Sequence, residues 1–384
     1  MITTLSLRLV RMLSRALLLA AAASLLSSCH GRQRRSSQST ANAPSGAAAP
    51  HAPDVDAGAA EQARSEPDGI ELANHQAGPS FIAVDDRFVY WTNFEDDGVL
   101  KIAKDGSGGP TSISHNDRGE NKAIAVDDTA VYWGGTSLYQ QSKATGRTQR
   151  FAANSTMVFN LIASRGRIYW AEGGKVDVQL KSMKADGSDI QAIGPRETQD
   201  FIFATDGSSA FIGRFTLNAD DAGKIDVVSL DKGPPSLFAK TRFISKIAID
   251  GDFVYWLEGR NVGAIKKKAR TGVGDVITLT QGFPIRGPQS LVVDHGSLYW
   301  TELGAAPGQG AVGKVSKAGG DAQLIARHQI VPQAIAVDDT FAYWVNFGPT
   351  NNGTIRKISK QPTTSSTTHH HTHAETLSAI ERAP

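Results

Sequence analysis

A chain of 384 residues with one cysteine, Cys29, cannot brace itself with an internal disulfide, so its stability has to come from packing. Helical patterning is also missing: no ten-residue stretch carries apolar residues at a 3.6 period, which sets helical repeats aside. Charge of one sign is scarce in excess, since 40 Lys plus Arg stand against 38 Asp plus Glu for a net charge of +2. That excludes an electrostatic nucleic-acid surface, and no basic stripe with interleaved aromatics appears. The one dense basic run, IKKKAR at 265–270, reads as a solvated strand edge that discourages sheet-to-sheet pairing. The motifs G-x-S-x-G, H-E-x-x-H and the P-loop are all absent. The apolar run at 16–26 is too short to span a membrane permanently.

What is present is a repeat. The stretch IAVDDRFVYWTN at 82–93 returns as IAVDDTFAYWVN at 335–346, and five further copies lie between them. All six tryptophans fall in one register, Trp91, Trp133, Trp170, Trp256, Trp300 and Trp344, with Ile212 in the degenerate fourth copy. Six of the seven tyrosines directly precede those tryptophans.

Each copy reads as short strands separated by turns. In the first, FIAVD is β-branched, DDR is a turn, and FVYWTN is again β-branched and aromatic. A third strand such as VLKIAK at 99–104 follows, then a Gly-containing turn and a fourth strand. Four antiparallel strands every 37 to 44 residues is the period of a propeller blade. The expected fold is therefore all-β, a seven-bladed β-propeller of four-stranded antiparallel blades over 69–360. The seventh copy dissolves into QPTTSSTT without a fourth strand, while GIELANH at 69–75 stands ahead of the first copy. The N-terminal strand is expected to complete the last blade.

The run YWTN-FEDDG-VLKIAKDGSG resembles the YWTD repeat of the low-density lipoprotein receptor class B propellers. That family has six blades where seven copies are counted here, and its motif Asp is replaced by Asn93, Gly135, Glu172, Arg214, Glu258, Glu302 and Asn346. NHL-type propellers of bacteria are an equally fair comparison. Either resemblance implies a fold before a function.

The ends carry a different composition. Arg8, Arg11 and Arg15 precede the apolar run, which stops at LSSC. This resembles the lipobox of bacterial lipoproteins, with residues 1–28 as signal peptide and Cys29 as the acylated residue. His30 after that cysteine implies the outer membrane, with the propeller in the periplasm or at the cell surface. Residues 29–68 read as a disordered tether of about 35 Å root-mean-square span, and 361–384 as a disordered Ser/Thr/His-rich tail.

Repetition itself explains the most eye-catching letters. Asp85, Asp127, Asp206, Asp250, Asp294 and Asp338 occupy one turn position, and six turns need six turn residues whereas catalysis does not. No catalytic residue is assigned. Function is expected to ride on what differs, over the mouth framed by loops 93–98, 214–223 and 301–310. Residues five before each repeat Asp are expected there: Ser80, Lys122, Phe201, Ser245, Gln289 and Gln333, with Phe159 at the same distance before Ser164. No cofactor is required. A divalent cation was weighed at His75, His115 and His328, at Glu95 to Asp97, at Asp220 and Asp221, and at His369 to His373. At each place the solvated reading outweighs the ligand one. The expected function is a membrane-anchored envelope lipoprotein whose propeller binds a protein or glycan partner. The alternative is a lyase or metal-dependent hydrolase with its site at the channel mouth.

Overall fold

The computed structural model describes residues 68–360 except 97, 115–122, 152–156, 174–176, 198–200, 217–218, 231–232, 307 and 349–350. Cys29, Lys122, His115 and the His369–His373 tract therefore lie outside the described residues. The repeat forms seven antiparallel blades of four strands, the fifth with one extra short strand; the first six run in chain order from inner to outer strand, and the seventh takes its outer strand from the start of the propeller. The inner strands are Pro79–Val84, Ala123–Val126, Met157–Ser164, Phe201–Thr205, Ile244–Ile249, Pro288–Val293 and Pro332–Val337. Each packs beside the next, and the seventh packs beside the first, so the ring closes around a central channel.

Closure uses the N-terminal strand. Ile70–Gln76 is the outer strand of the seventh blade, antiparallel to Gly353–Ser359, with Ile70 opposite Lys357 and Gln76 opposite Gly353. The fifth blade is the irregular one. Its outer strand shrinks to Ile277–Thr278, and Ile285–Arg286 pairs separately with the head of Val262–Ala269.

The core is divided. Seven apolar clusters fill the seven gaps between blades, each joining the Tyr of one blade to the Trp of the next. Tyr343 with Trp91 and Tyr255 with Trp300 are examples. This follows from the strand period: adjacent residues of Y-W leave opposite faces of the sheet, so one pair serves two gaps. The degenerate copy shows in two gaps, where Ile212 replaces Trp opposite Tyr169 and Phe211 replaces Tyr opposite Trp256.

Candidate functional site

The repeat aspartates are consumed by the fold. Asp85 Oδ1 accepts the backbone N–H groups of Arg87 and Phe88 at 2.8 Å, and Oδ2 accepts the Tyr90 hydroxyl at 2.9 Å. Lys143 of the next blade reaches the same carboxylate at 2.6 Å. Tyr132, Tyr255 and Tyr343 donate likewise to Asp127, Asp250 and Asp338. Lys317 bridges to Asp250 and Lys360 to Asp294, both at 2.6 Å, and Lys104 and Arg270 bridge to Asp338 and Asp206. Burial alone would raise these carboxyls. Donated hydrogen bonds and the neighbouring cation outweigh it, holding Asp338 and Asp206 at about 2. The tyrosines move the other way, Tyr132 up to about 12, from burial and then from the adjacent carboxylate.

A second buried position lies two residues after each repeat Trp, or after Ile212 in the fourth blade. Glu172 is bonded by Trp170 Nε1 and Lys181, and Glu258 by Thr241 and Lys266. Arg214 is paired with Asp226 and Glu197. Glu302 accepts only the Trp300 indole N–H among these partner types, and burial pushes its carboxyl up. The reason is one residue on the neighbouring strand. Lys181 and Lys266 stand opposite Trp170 and Trp256, but Gly313 stands opposite Trp300. A β-carbon at Gly313 would collide with the Trp300 ring, so no lysine fits there.

The channel has two mouths. On the face of the Asp turns, a cavity of about 460 Å³ lies across the fifth to seventh blades. Asp250, Asp294 and Asp338 line it but are held by lysines, leaving Asp252, His295 and Asp339 at its rim. On the opposite face, where each blade links to the next, the inner strands of five blades carry a β-bulge near their linker ends. A bulge leaves a residue out of the ladder and re-aims its side chain. Those residues are Ser80, Asn160, Ser245 and Gln289, with Gln333 and Ala334 together in the seventh blade.

Ser80, Ser245 and Gln289 are the residues left out of the ladder in their blades, and Gln333 is one of two in the seventh. In the third blade the slip falls one residue later: Phe159 pairs with Ala171 and packs into the gap toward the fourth blade, while Asn160 is extra. Asn160 adopts φ 44° and its side-chain amide donates to the Phe203 carbonyl of the next blade at 3.1 Å. Phe201 lies on its inner strand as expected, with its side chain outside the described set. Sequence reasoning missed Lys246, beside the bulged Ser245. Its signal was available: between the fifth residue before each repeat Asp, or before Ser164, and that residue, the only charges are Lys122 and Lys246.

The rim loops are docked at the same mouth. Phe94 and Glu95 of loop 93–98 donate backbone N–H groups to Gly78 and Ala77, and Phe94 meets Phe347 at 6.3 Å between ring centroids. Leu303 and Gly304 of loop 301–310 donate to Gly287 and Arg286. The segment 214–223, expected as a loop, is instead a hairpin extension in which strands Ser209–Thr216 and Ala219–Ser229 continue through it from the buried Arg214.

His75 and His328 end outer strands with φ of 54° and 56°. That turn swings the following glutamine inward, where Gln76 and Gln329 accept the indole N–H of Trp91 and Trp344. Among the described residues no three metal-ligating side chains gather.

No family model matches the sequence, and no curated protein matches it. Solved structures do resemble the fold. Hydrazine synthase from Kuenenia stuttgartiensis aligns with TM-score 0.58 at 12% identity, covering 74% of this chain and 96% of the other. Virginiamycin B lyase from Staphylococcus aureus gives TM-score 0.56 at 15% identity over 75% and 97%. The WD40 propeller domain of Doa1 gives 0.57 at 15% identity over 76% and 97%. Two of these neighbours carry enzyme names and the third is a WD40 propeller domain, and at such identities the likeness is one of fold.

Proposed function

We propose that this chain is a lipid-anchored envelope protein whose propeller is a binding module, holding a protein or glycan partner over the linker-face mouth. The observation that supports the binding part is the recurrence of a bulge near the linker end of five inner strands, at Ser80, Asn160, Ser245, Gln289 and Gln333 with Ala334. Strand edges held rigidly by the gap clusters support it, and amide and hydroxyl groups suit neutral, directional recognition. The anchoring part rests on the basic Arg8, Arg11 and Arg15, the apolar run and LSSC at Cys29. A lyase reading is not adopted, because likeness to the lyase extends to the fold and brings no reaction with it.

Two experiments test the two parts. Full-length protein, crosslinked in its native envelope and extracted in detergent, is compared with a Lys122→Ala, Gln289→Ala, Gln333→Ala variant. Partner capture should fall while the thermal midpoint stays nearly unchanged; undiminished capture would move the site elsewhere. Metabolic labelling with a fatty acid should mark the protein and fail to mark Cys29→Ser. Label persisting on the serine variant would remove the anchor.

A further inference from the structure

Lys246 stands on the inner strand Ile244–Ile249, one residue below the bulged Ser245, and pairs across the sheet with Leu257. Leu257 packs in the gap between the fifth and sixth blades. Cross-strand partners leave a sheet on the same side, so Lys246 heads toward the sixth blade, whose inner strand opens with Pro288, Gln289 and Ser290. The side chain keeps some accessible surface because it borders the channel. Protein nevertheless surrounds its ammonium, and burial pulls the amine below the ordinary lysine range.

No counter-charge reaches it among the described residues. Glu258 on the adjacent second strand is held by Lys266 and Thr241. The inner strands of the fourth and sixth blades, Phe201–Thr205 and Pro288–Val293, contain no titratable side chain. Arg214 of the fourth blade is committed to Asp226 and Glu197, and Glu302 of the sixth to Trp300, with Arg286 nearby. Other enclosed lysines do have partners: Lys267 donates to the Lys317 carbonyl and Lys357 to that of Lys104. An enclosed ammonium without a partner is costly to the fold, so a ligand that supplies the missing charge gains what the fold forgoes.

We propose that Lys246 is the anchor for a carboxylate on the ligand that enters the linker-face mouth, with the bulged Ser245 beside it able to share its oxygens. The assignment rests on the binding reading above and adds the chemical class of the group that is bound. One lysine beside a hydroxyl matches a single negative charge. A bound carboxylate favours the charged amine, so binding draws a proton onto Lys246. Affinity should therefore fall about tenfold per pH unit once the pH exceeds the free amine's own midpoint.

The test uses full-length protein whose lysines carry carbon-13 methyl groups by reductive methylation, with the Lys246 signal assigned by its loss in Lys246→Met. Acetate, N-acetylglycine and glucuronate present the same carboxylate alone, on a peptide end and on a sugar. The Lys246 signal should titrate below those of the other lysines, and a carboxylate should raise its midpoint by a unit or more where chloride at equal ionic strength does not. Which of the larger probes acts at lower concentration identifies the source. Lys246→Arg should keep the binding, followed by saturation of the ligand signals, and lose its fall with pH. A midpoint unmoved by all three carboxylates, or moved equally by chloride, would overturn the assignment. Partner capture that depends on Gln289 and Gln333 could survive that result, so the two readings fail separately.

Discussion

The gaps on either side of the third blade differ from the other five. In those five, a lysine or arginine at the end of the third strand crosses to the repeat Asp of the preceding blade: Lys104 to Asp338, Lys143 to Asp85, Arg270 to Asp206, Lys317 to Asp250 and Lys360 to Asp294. The equivalent backbone position is Ala185 in the third blade and Leu230 in the fourth, fixed by the same N–H bond back to the turn. The third blade also carries Ser164 where the others carry Asp. Within its own sheet Arg167 pairs with Asp189 and Lys181 with Glu172. What joins it to its neighbours is apolar packing, amides, Gln140 to the Ala185 carbonyl and Asn160 to the Phe203 carbonyl, and toward the fourth blade the pair of Glu197 with Arg214. The seam that closes the ring, between seventh and first blades, has the full set: ion pair, Tyr-Trp pair and the Gln76 bond to Trp91. The tie from the third-strand end to the repeat Asp is thus present at the seam where the chain ends must be held and, among the described residues, missing at two gaps where the chain is continuous.

That contrast can be broken at several strengths. The largest effect should come from the closing seam. Deleting 30–66 should leave the melting temperature in place, whereas deleting 30–76 removes the outer strand of the seventh blade and the Gln76 acceptor. Equal melting temperatures for the two truncations would refute closure by that strand. Next, Trp300→Ala empties a fully buried site between the fifth and sixth blades and should cost about 3–5 kcal/mol in urea unfolding. A loss under about 1 kcal/mol would mean that the ring contributes little to its gap.

Smaller, and directed at the ion pairs, Asp338→Asn should destabilise the seventh–first seam by about 1–2 kcal/mol, while Ser164→Ala should change stability by less than about 0.5 kcal/mol. The same pair sets a pH window. A carboxyl held at about 2 in the fold stabilises it above the unfolded value near 4 and loses that contribution as pH falls from about 4 toward 2. Stability measured across that window should fall less steeply in Asp338→Asn than in the parent protein; identical slopes would show that the carboxylate is not coupled to folding. The smallest change adds a tie. Asp127 already holds its turn and Tyr132, so Ala185→Lys supplies only the missing cation and should gain up to about 1 kcal/mol. The gain should vanish in an Asp127→Asn background, and a gain that persists there would belong to some other contact.

The fold was legible because the repeat measures itself: the Trp register gave the blade count, and the strand missing from the last copy matched the surplus one before the first. The site was less so. Counting five residues from each repeat Asp assumes that the same position reaches the mouth in every blade. A bulge is an insertion into the ladder, and in the third blade it falls at Asn160 instead of Phe159. Lys246 was passed over for the same reason, since it stands beside the bulge in a copy where the count landed on Ser245. The cavity on the turn face draws its walls from three blades at once, an adjacency that no single copy of the motif encodes. Glu302 needed a cross-strand register as well, because its lost partner is defined only by Gly313 lying opposite Trp300.

Closure by the first strand also imposes a history on the molecule. Ala73 finds Ile355 across about 280 residues of chain, a loop whose closure alone costs about 5 kcal/mol if the intervening chain is unstructured. Local hairpins can form as each blade is synthesised, but Ile70–Gln76, the earliest strand made, stays unpaired until Gly353–Ser359, the latest, exists. A nascent chain therefore carries an orphan strand from beginning to end of translation, and the curvature accumulated by the blades already stacked is what delivers its partner. Assembly of this ring is timed by its last blade, and any protein stopped short of residue 353 leaves both ends open.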